Sequence, residues 1–163
     1  MKPEDLICYC GVHCGSCARW HENSIFMKLA MLLAELVDSH GFHYWMPDIV
    51  EEFDYSEFRK ALDFMSKKEN WFICKKGCKK GDGNPNCEIR ECCQKQKLDV
   101  CFDCSKFPCD KVKGNLEMIE RAEEYRKRGK EEWFNQQIEK INKGYEHHTK
   151  KYYQIWAQNH PLI

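Results

Sequence analysis

Twelve cysteines in two blocks restrict this chain more than any other feature. Four lie at positions 8–17, eight lie between positions 74 and 109, and none follows Cys109. Thiols at that density are oxidised, buried or given to a metal. The N-terminus, Met1-Lys2-Pro3-Glu4-Asp5, has no basic stretch followed by an apolar one, so the sequence predicts no secretory leader and a cytoplasmic location. Thiols stay reduced there, which favours metal ligation over disulfides. Composition agrees that apolar burial needs help, since Leu, Ile, Val and Phe make up about one fifth of the residues. So thin a set in a highly charged chain would suggest disorder, but Lys+Arg and Asp+Glu both count 26 and aromatics reach 13%. That zero balance gives no general pull towards nucleic acid or anionic membrane. No apolar run approaches the ~20 residues of a membrane span.

Between the two blocks the apolar spacing is helical. Ile25, Phe26, Leu29, Leu32, Leu33, Leu36 and Val37 recur at three- and four-residue steps, with Ser24 as N-cap and Gly41 as left-handed stop. A second helix is predicted from the N-cap Asp54 to Ser66, burying Tyr55, Phe58, Leu62 and Met65. Residues 41–50, with Pro47 and three aromatics, read as a packed connecting loop. Residues 74–109 sustain no apolar period and allow only a short helical turn near Glu88 to Gln94. Asn115 can cap a helix carrying Leu116, Ile119, Ala122 and Tyr125 that ends before Gly129. Another begins near Lys130, with Trp133, Phe134, Ile138 and Ile141 on one face, and can continue past Gly144 towards Trp156. The expected fold is a small, mainly α domain with irregular, metal-stapled cysteine-rich loops and little or no sheet. Residues 1–112 would form the metal-binding domain with an inserted helical pair (24–66), and residues 113–163 a C-terminal helical segment packed on it.

The first block runs Cys8-Tyr-Cys10-Gly-Val-His-Cys14-Gly-Ser-Cys17. A Cys-x2-Cys pair in a tight turn lets two thiolates reach one metal while backbone amides donate to the sulfurs. The second holds Cys74-x3-Cys78, Cys87-x4-Cys92-Cys93, Cys101-x2-Cys104 and Cys109. Adjacent side chains diverge, so one of Cys92 and Cys93 is expected to stand aside. Cys8, two residues before Cys10 in a short extended stretch, is set aside as well. The expected ligands are Cys10, Cys14, Cys17, Cys74, Cys78, Cys87, Cys92, Cys101, Cys104 and Cys109, with His13 or His21 available to complete a mixed site. Zinc in closed four-thiolate sites is the expected cofactor, because such sites add folding energy directly. An iron–sulfur cluster is the alternative, although neither ferredoxin spacing occurs. Cys10-x3-Cys14-x2-Cys17 has the spacing of radical enzymes that use S-adenosylmethionine, without the alternating strands and helices their barrel needs. Cys14-x2-Cys17 and Cys101-x2-Cys104 have the dithiol oxidoreductase form, without its βαβ context.

Tyr9-Cys10-Gly11 followed by Cys14 and Cys17 resembles the opening "YCG-x-x-C-x-x-C" of a cysteine-rich bacterial and archaeal family, domain of unknown function 3795. Gly77-Cys78 after Cys74, the run Cys87-Glu88-Ile89-Arg90-Glu91-Cys92, Cys101-x2-Cys104 and Phe107-Pro108-Cys109 are similar to the rest of its pattern, over residues 9–112. Cys8 and Cys93 fall outside that pattern. The resemblance implies a zinc-binding or otherwise metal-binding protein and supplies no reaction.

Lys75, Lys76, Lys79 and Lys80 flank Cys78, with Trp71 and Phe72 just before. Basic and aromatic residues together can contact phosphates and bases. The same lysines also offset the charge of about minus two that each four-thiolate divalent site carries. His147 and His148, on the expected last helix, would point about a hundred degrees apart and be exposed, making poor partners for one metal. His40 and His43 flank a glycine turn and read as capping or packing residues. The tail aromatics Trp133, Phe134, Tyr145, Tyr152, Tyr153 and Trp156 read as helix-packing residues. There is no Gly-rich phosphate loop, serine-nucleophile motif or zinc-protease helix, and no catalytic residue is assigned. The sequence therefore predicts an intracellular metal-binding protein whose zinc is structural. It would act through an unidentified protein or small-molecule partner, without a membrane. The alternatives are an iron–sulfur redox protein or enzyme, and a zinc-stabilised nucleic-acid-binding module.

Overall fold

The computed structural model describes residues 3–22 and 24–156. Helix α1 (Ile25–Ser39) begins where Ser24 Oγ accepts the Met27 N–H at 3.3 Å, and ends at His40, beyond which Gly41 has φ +66°. Helix α3 (Tyr55–Ser66) begins where the Asp54 carboxylate accepts the Glu57 N–H at 3.0 Å. Each cap satisfies an N–H that the first helical turn leaves without a partner. Residues 41–50 are more regular than the expected loop. A 3-10 turn over Phe42–Tyr44 leads into a short helix α2 (Met46–Ile49), with Pro47 in its first turn, where a missing N–H does no harm.

α1 and α3 pack on each other through Ala30, Ala34 and Val37 of α1 and Leu62 of α3, flanked by Phe42, Phe58 and Met65. The alanines bring the two helices close, and the longer side chains of α1 turn outward. Leu29, Leu32, Leu33 and Leu36 are between 39% and 56% exposed, so the leucine spacing locates the helix without marking its buried face. Arg59 ties the pair from outside, its Nε and Nη2 donating to the two Asp38 carboxylate oxygens at 2.8 and 2.6 Å.

The main core is built elsewhere, from Ile7, Cys93, Val100, Cys101, Phe102, Val112, Met118, Ala122 and Trp133. These residues come from the N-terminal loop, α4 (Glu88–Lys95), the irregular stretch after it, α5 (Leu116–Arg128) and α6 (Lys130–Asn142). Asn115 caps α5, its side-chain oxygen accepting the Met118 N–H at 3.0 Å, and Gly129 at φ +80° separates α5 from α6.

The continuation of α6 past Gly144 is overturned. α6 stops at Asn142, Gly144 adopts φ +83°, and the chain turns into a hairpin of β1 (Tyr145–Glu146) and β2 (Lys151–Tyr152). A positive φ is cheap for glycine and ends a right-handed helix. The strands are antiparallel, pairing Tyr145 with Tyr152 and Glu146 with Lys151. The fold is otherwise mainly helical, as expected, and this hairpin is the only sheet among the described residues. After the hairpin, Tyr153 and Ile155 pack against Ala18 and Ile25, bringing the chain back to the first cysteine block. The Trp156 side chain lies outside what the structure describes. Among the described residues no helix is long and apolar enough to cross a membrane.

Candidate metal centre

The first cysteine block is a tight knuckle. Cys8 N–H donates to Val12 O at 2.7 Å, Gly11 N–H to Cys8 O at 2.9 Å, and Ile7 bridges to His13. Gly11 takes φ +77° with the Phe102 ring against its Cα, a place where any Cβ would overlap the ring. A 3-10 turn over Cys14–Ser16 follows, held by His13, whose Nδ1 accepts the Gly15 N–H at 3.0 Å. That bond makes His13 a capping residue. His21, the other candidate histidine, packs its ring at a tilt against Trp20, centroids 4.6 Å apart.

The second block comes to the first along a short parallel contact. Cys74 N–H donates to Arg19 O at 2.8 Å, and His21 N–H to Cys74 O at 3.0 Å. Asp82 closes the turn that follows, its Oδ2 accepting the N–H groups of Lys75 and Lys76 at 2.6 Å each. Gly77, at φ +77°, then turns the chain beside Cys14, where a Cβ would make only an ordinary 3.5 Å contact with Cys14 Sγ, and Cys78 enters the cluster. Cys8 is the hub. Its thiol lies 3.4 Å from that of Cys14 and also meets those of Cys10 and Cys78. Those three contacts, with burial, push the Cys8 pKa well up. They push the others down: Cys78 to about 6 and Cys10 to about 7, each chiefly through Cys8, with Arg90 and Arg121 adding positive charge. The Arg90 guanidinium donates to the carbonyls of Asp82, Asn84 and Pro85, each at 2.9 Å, and Arg121 to Cys10 O at 2.9 Å. The structure thus places Cys8 with three of the expected ligands, although spacing alone set it aside.

A second gathering surrounds α4. Cys92 and Cys93 diverge as adjacency requires: Cys93 enters the main core, 1% exposed, while Cys92 Sγ accepts from Gln96 Nε2 at 3.3 Å. The other end of that amide accepts from Cys104 at 3.8 Å, so one glutamine spans both sulfurs. Cys101 meets Cys93 in the core, and Cys104 and Cys109 lie near enough for their charges to act on it. Burial raises Cys93 to about 12 and Cys101 to about 11.

A third gathering corrects the reading of His147 and His148. They lie on the hairpin turn, not on a helix, and their rings meet at a tilt of 39° with centroids 3.8 Å apart. His147 is half-buried, while His148 is exposed as expected. Among the described residues, their ring nitrogens and Cys17 Sγ form a group of metal-ligating atoms that all lie within 4.8 Å of one another. Burial raises Cys17 to about 11. All three line a cavity of about 340 Å³ together with Cys8, Cys10, Cys14, Cys74, Cys78 and Cys87. No sequence signal points here, because on the expected helix the two rings would diverge.

The remaining candidates have structural duties. Lys79 pairs with Asp99 and lies 5.9 Å from the Tyr9 ring, and Lys75 Nζ donates to Glu69 O at 3.1 Å. His40 Nδ1 donates to Leu36 O at 2.9 Å at the end of α1, and His43 stacks on Tyr44 at 3.9 Å.

The chain belongs to the family described as "Protein of unknown function (DUF3795)", which matches residues 6–114. No curated protein and no solved structure matches the chain. The matched span contains every cysteine and neither His147 nor His148.

Proposed function

We propose that this chain is a metal-binding module whose irregular cysteine loops are held by zinc. One centre would use Cys10, Cys14 and Cys78 with Cys8, and another Cys92, Cys104 and Cys109 with Cys101. The observation that carries the reading is the meeting of Cys8, Cys10 and Cys14 from one loop with Cys78 from another. Four soft donors gathered from distant parts of a chain suit zinc, and the thiolates are the form that binds it. Such a site contributes to folding outright, because the unfolded chain cannot assemble it. That role fits an aliphatic-poor chain in which Cys8, Cys14 and Trp20 form a small apolar cluster of their own. Arg90, Arg121 and the lysines around Cys78 would offset the negative charge of the loaded centre. Cys93, enclosed by apolar neighbours, stays outside the ligand set, and Cys8 joins it.

Single substitutions test the reading. Cys78→Ser should reduce bound zinc and lower the unfolding temperature, whereas Cys93→Ala should leave zinc content unchanged. Full metal retention by Cys78→Ser would contradict it. Stoichiometric iron with charge-transfer absorption would replace zinc by a cluster.

A further inference from the structure

The thiolate centres leave one constellation unused. Cys17, His147 and His148 bring a sulfur and two imidazoles within 4.8 Å of one another, from segments about 130 residues apart. We propose that they form a separate, mixed thiolate–imidazole site for a zinc-class divalent cation. That ion would clasp the C-terminal hairpin onto the first cysteine knuckle.

The placement of His147 supports this. Its backbone N–H and its Nδ1 both donate to Ser16 O, each at 3.0 Å. With Nδ1–H committed to a carbonyl, the lone pair stands on Nε2, which is then the atom this ring would offer a cation. A hydrogen bond from a ligand histidine's other ring nitrogen to a backbone carbonyl is the usual way such rings are oriented. Glu146 fixes the turn from below. It is 2% exposed, and its two carboxylate oxygens accept the Ala18 N–H at 3.4 Å and the Thr149 N–H at 2.7 Å. One buried carboxylate thus bonds both the residue after Cys17 and the turn that carries the histidines. The donor set is chemically distinct: one thiolate with two neutral imidazoles brings less negative charge to the ion than four thiolates, and zinc accepts both kinds of set. Cys74 lines the same cavity and lies near enough for its charge to act on Cys17. With His148 exposed, the ion would exchange with solvent more readily than one enclosed by thiols. Both histidines lie beyond residues 6–114 and Cys17 lies within them, so the clasp would join the C-terminal segment to the family-matched part of the chain.

The test counts zinc by native mass spectrometry on the full chain, purified anaerobically and dialysed against zinc. His148→Ala is the variant, chosen because the residue is exposed on a turn, and His43→Ala is the control. His148→Ala should carry one ion fewer than the wild type, and His43→Ala the same number. Hydrogen exchange supplies a second readout: zinc should slow exchange across residues 145–152 in the wild type and not in His148→Ala. Equal ion counts in wild type and His148→Ala, or hairpin exchange indifferent to zinc, would overturn the proposal. The clasp does not require loaded thiolate centres. An ion lost in His148→Ala but kept in Cys78→Ser would support it even if the thiolate reading failed.

Discussion

Gly11→Ala is the most revealing single change in the first knuckle. The position combines two constraints. At φ +77° an L-residue is in the left-handed region, which costs about 1–2 kcal/mol. A Cβ would also stand 2.3 and 2.4 Å from two carbons of the Phe102 ring, well inside van der Waals contact. The ring has no room to yield. Phe102 is 2% exposed, with Phe107 at 5.6 Å, Tyr125 at 5.5 Å and Trp133 at 6.4 Å around it. Forcing extra volume into such a core costs a further 1–3 kcal/mol or so. The sum, about 2–5 kcal/mol, is a large part of the roughly 5–15 kcal/mol that holds a domain together. For a chain of this size it corresponds to a fall of roughly 4–20 °C in unfolding temperature. Circular dichroism during thermal and urea unfolding measures it. Gly83→Ala isolates the backbone part, since Gly83 has φ +85° with nothing within 4 Å of its missing Cβ. It should cost only about 1–2 kcal/mol. The reasoning fails if Gly11→Ala is no worse than Gly83→Ala, or if adding Phe102→Leu gives no recovery.

Two leucines of the helical pair should behave oppositely. Leu62→Ala, at 7% exposure between α1 and α3, is expected to cost about 2–5 kcal/mol, and Leu36→Ala, at 56%, almost nothing; equal losses would contradict the packing. Arg90→Met removes the donor shared by three loop carbonyls and should destabilise by about 2–4 kcal/mol in urea unfolding, with no change refuting that role. The Arg59 guanidinium beside Asp38 holds its carboxyl below the usual range. Stability from that pair is present above the unfolded carboxylate range, near pH 4, and is lost as pH falls through the lower folded value. Urea midpoints between about pH 5 and 2 should therefore fall more steeply for the wild type than for Arg59→Gln, and parallel curves would remove the pair from the account.

The helices with strong starts were legible from sequence. Ser24, Asp54 and Asn115 each accept the N–H three residues on, as short polar side chains before an apolar period should. The C-terminal hairpin was not. Two-residue strands are too short to show alternation, and Tyr145, Tyr152 and Tyr153 extend the apolar spacing of α6, so only the Gly144 backbone reveals the break. The misplacement of His147 and His148 followed from that one error. The buried face of α1 was hidden for another reason: close helix packing selects the alanines, and periodicity cannot distinguish them from the leucines outside. Cys8 shows a half-used signal. The stretch is a tight turn, not the expected extended one, and the turn brings the Cys8 and Cys10 thiols together; spacing could not show that Cys14 and Cys78 arrive at the same point. The divergence of Cys92 from Cys93 needed only adjacency.

The central claim is that the cysteine loops are organised by metal. Elemental analysis with native mass spectrometry of the anaerobically purified chain tests it most directly. The expected result is a colourless protein holding at least about two zinc ions per chain, with cooperative unfolding lost when a strong chelator removes them. A chain that folds cooperatively without metal, all twelve thiols reacting freely, would contradict it.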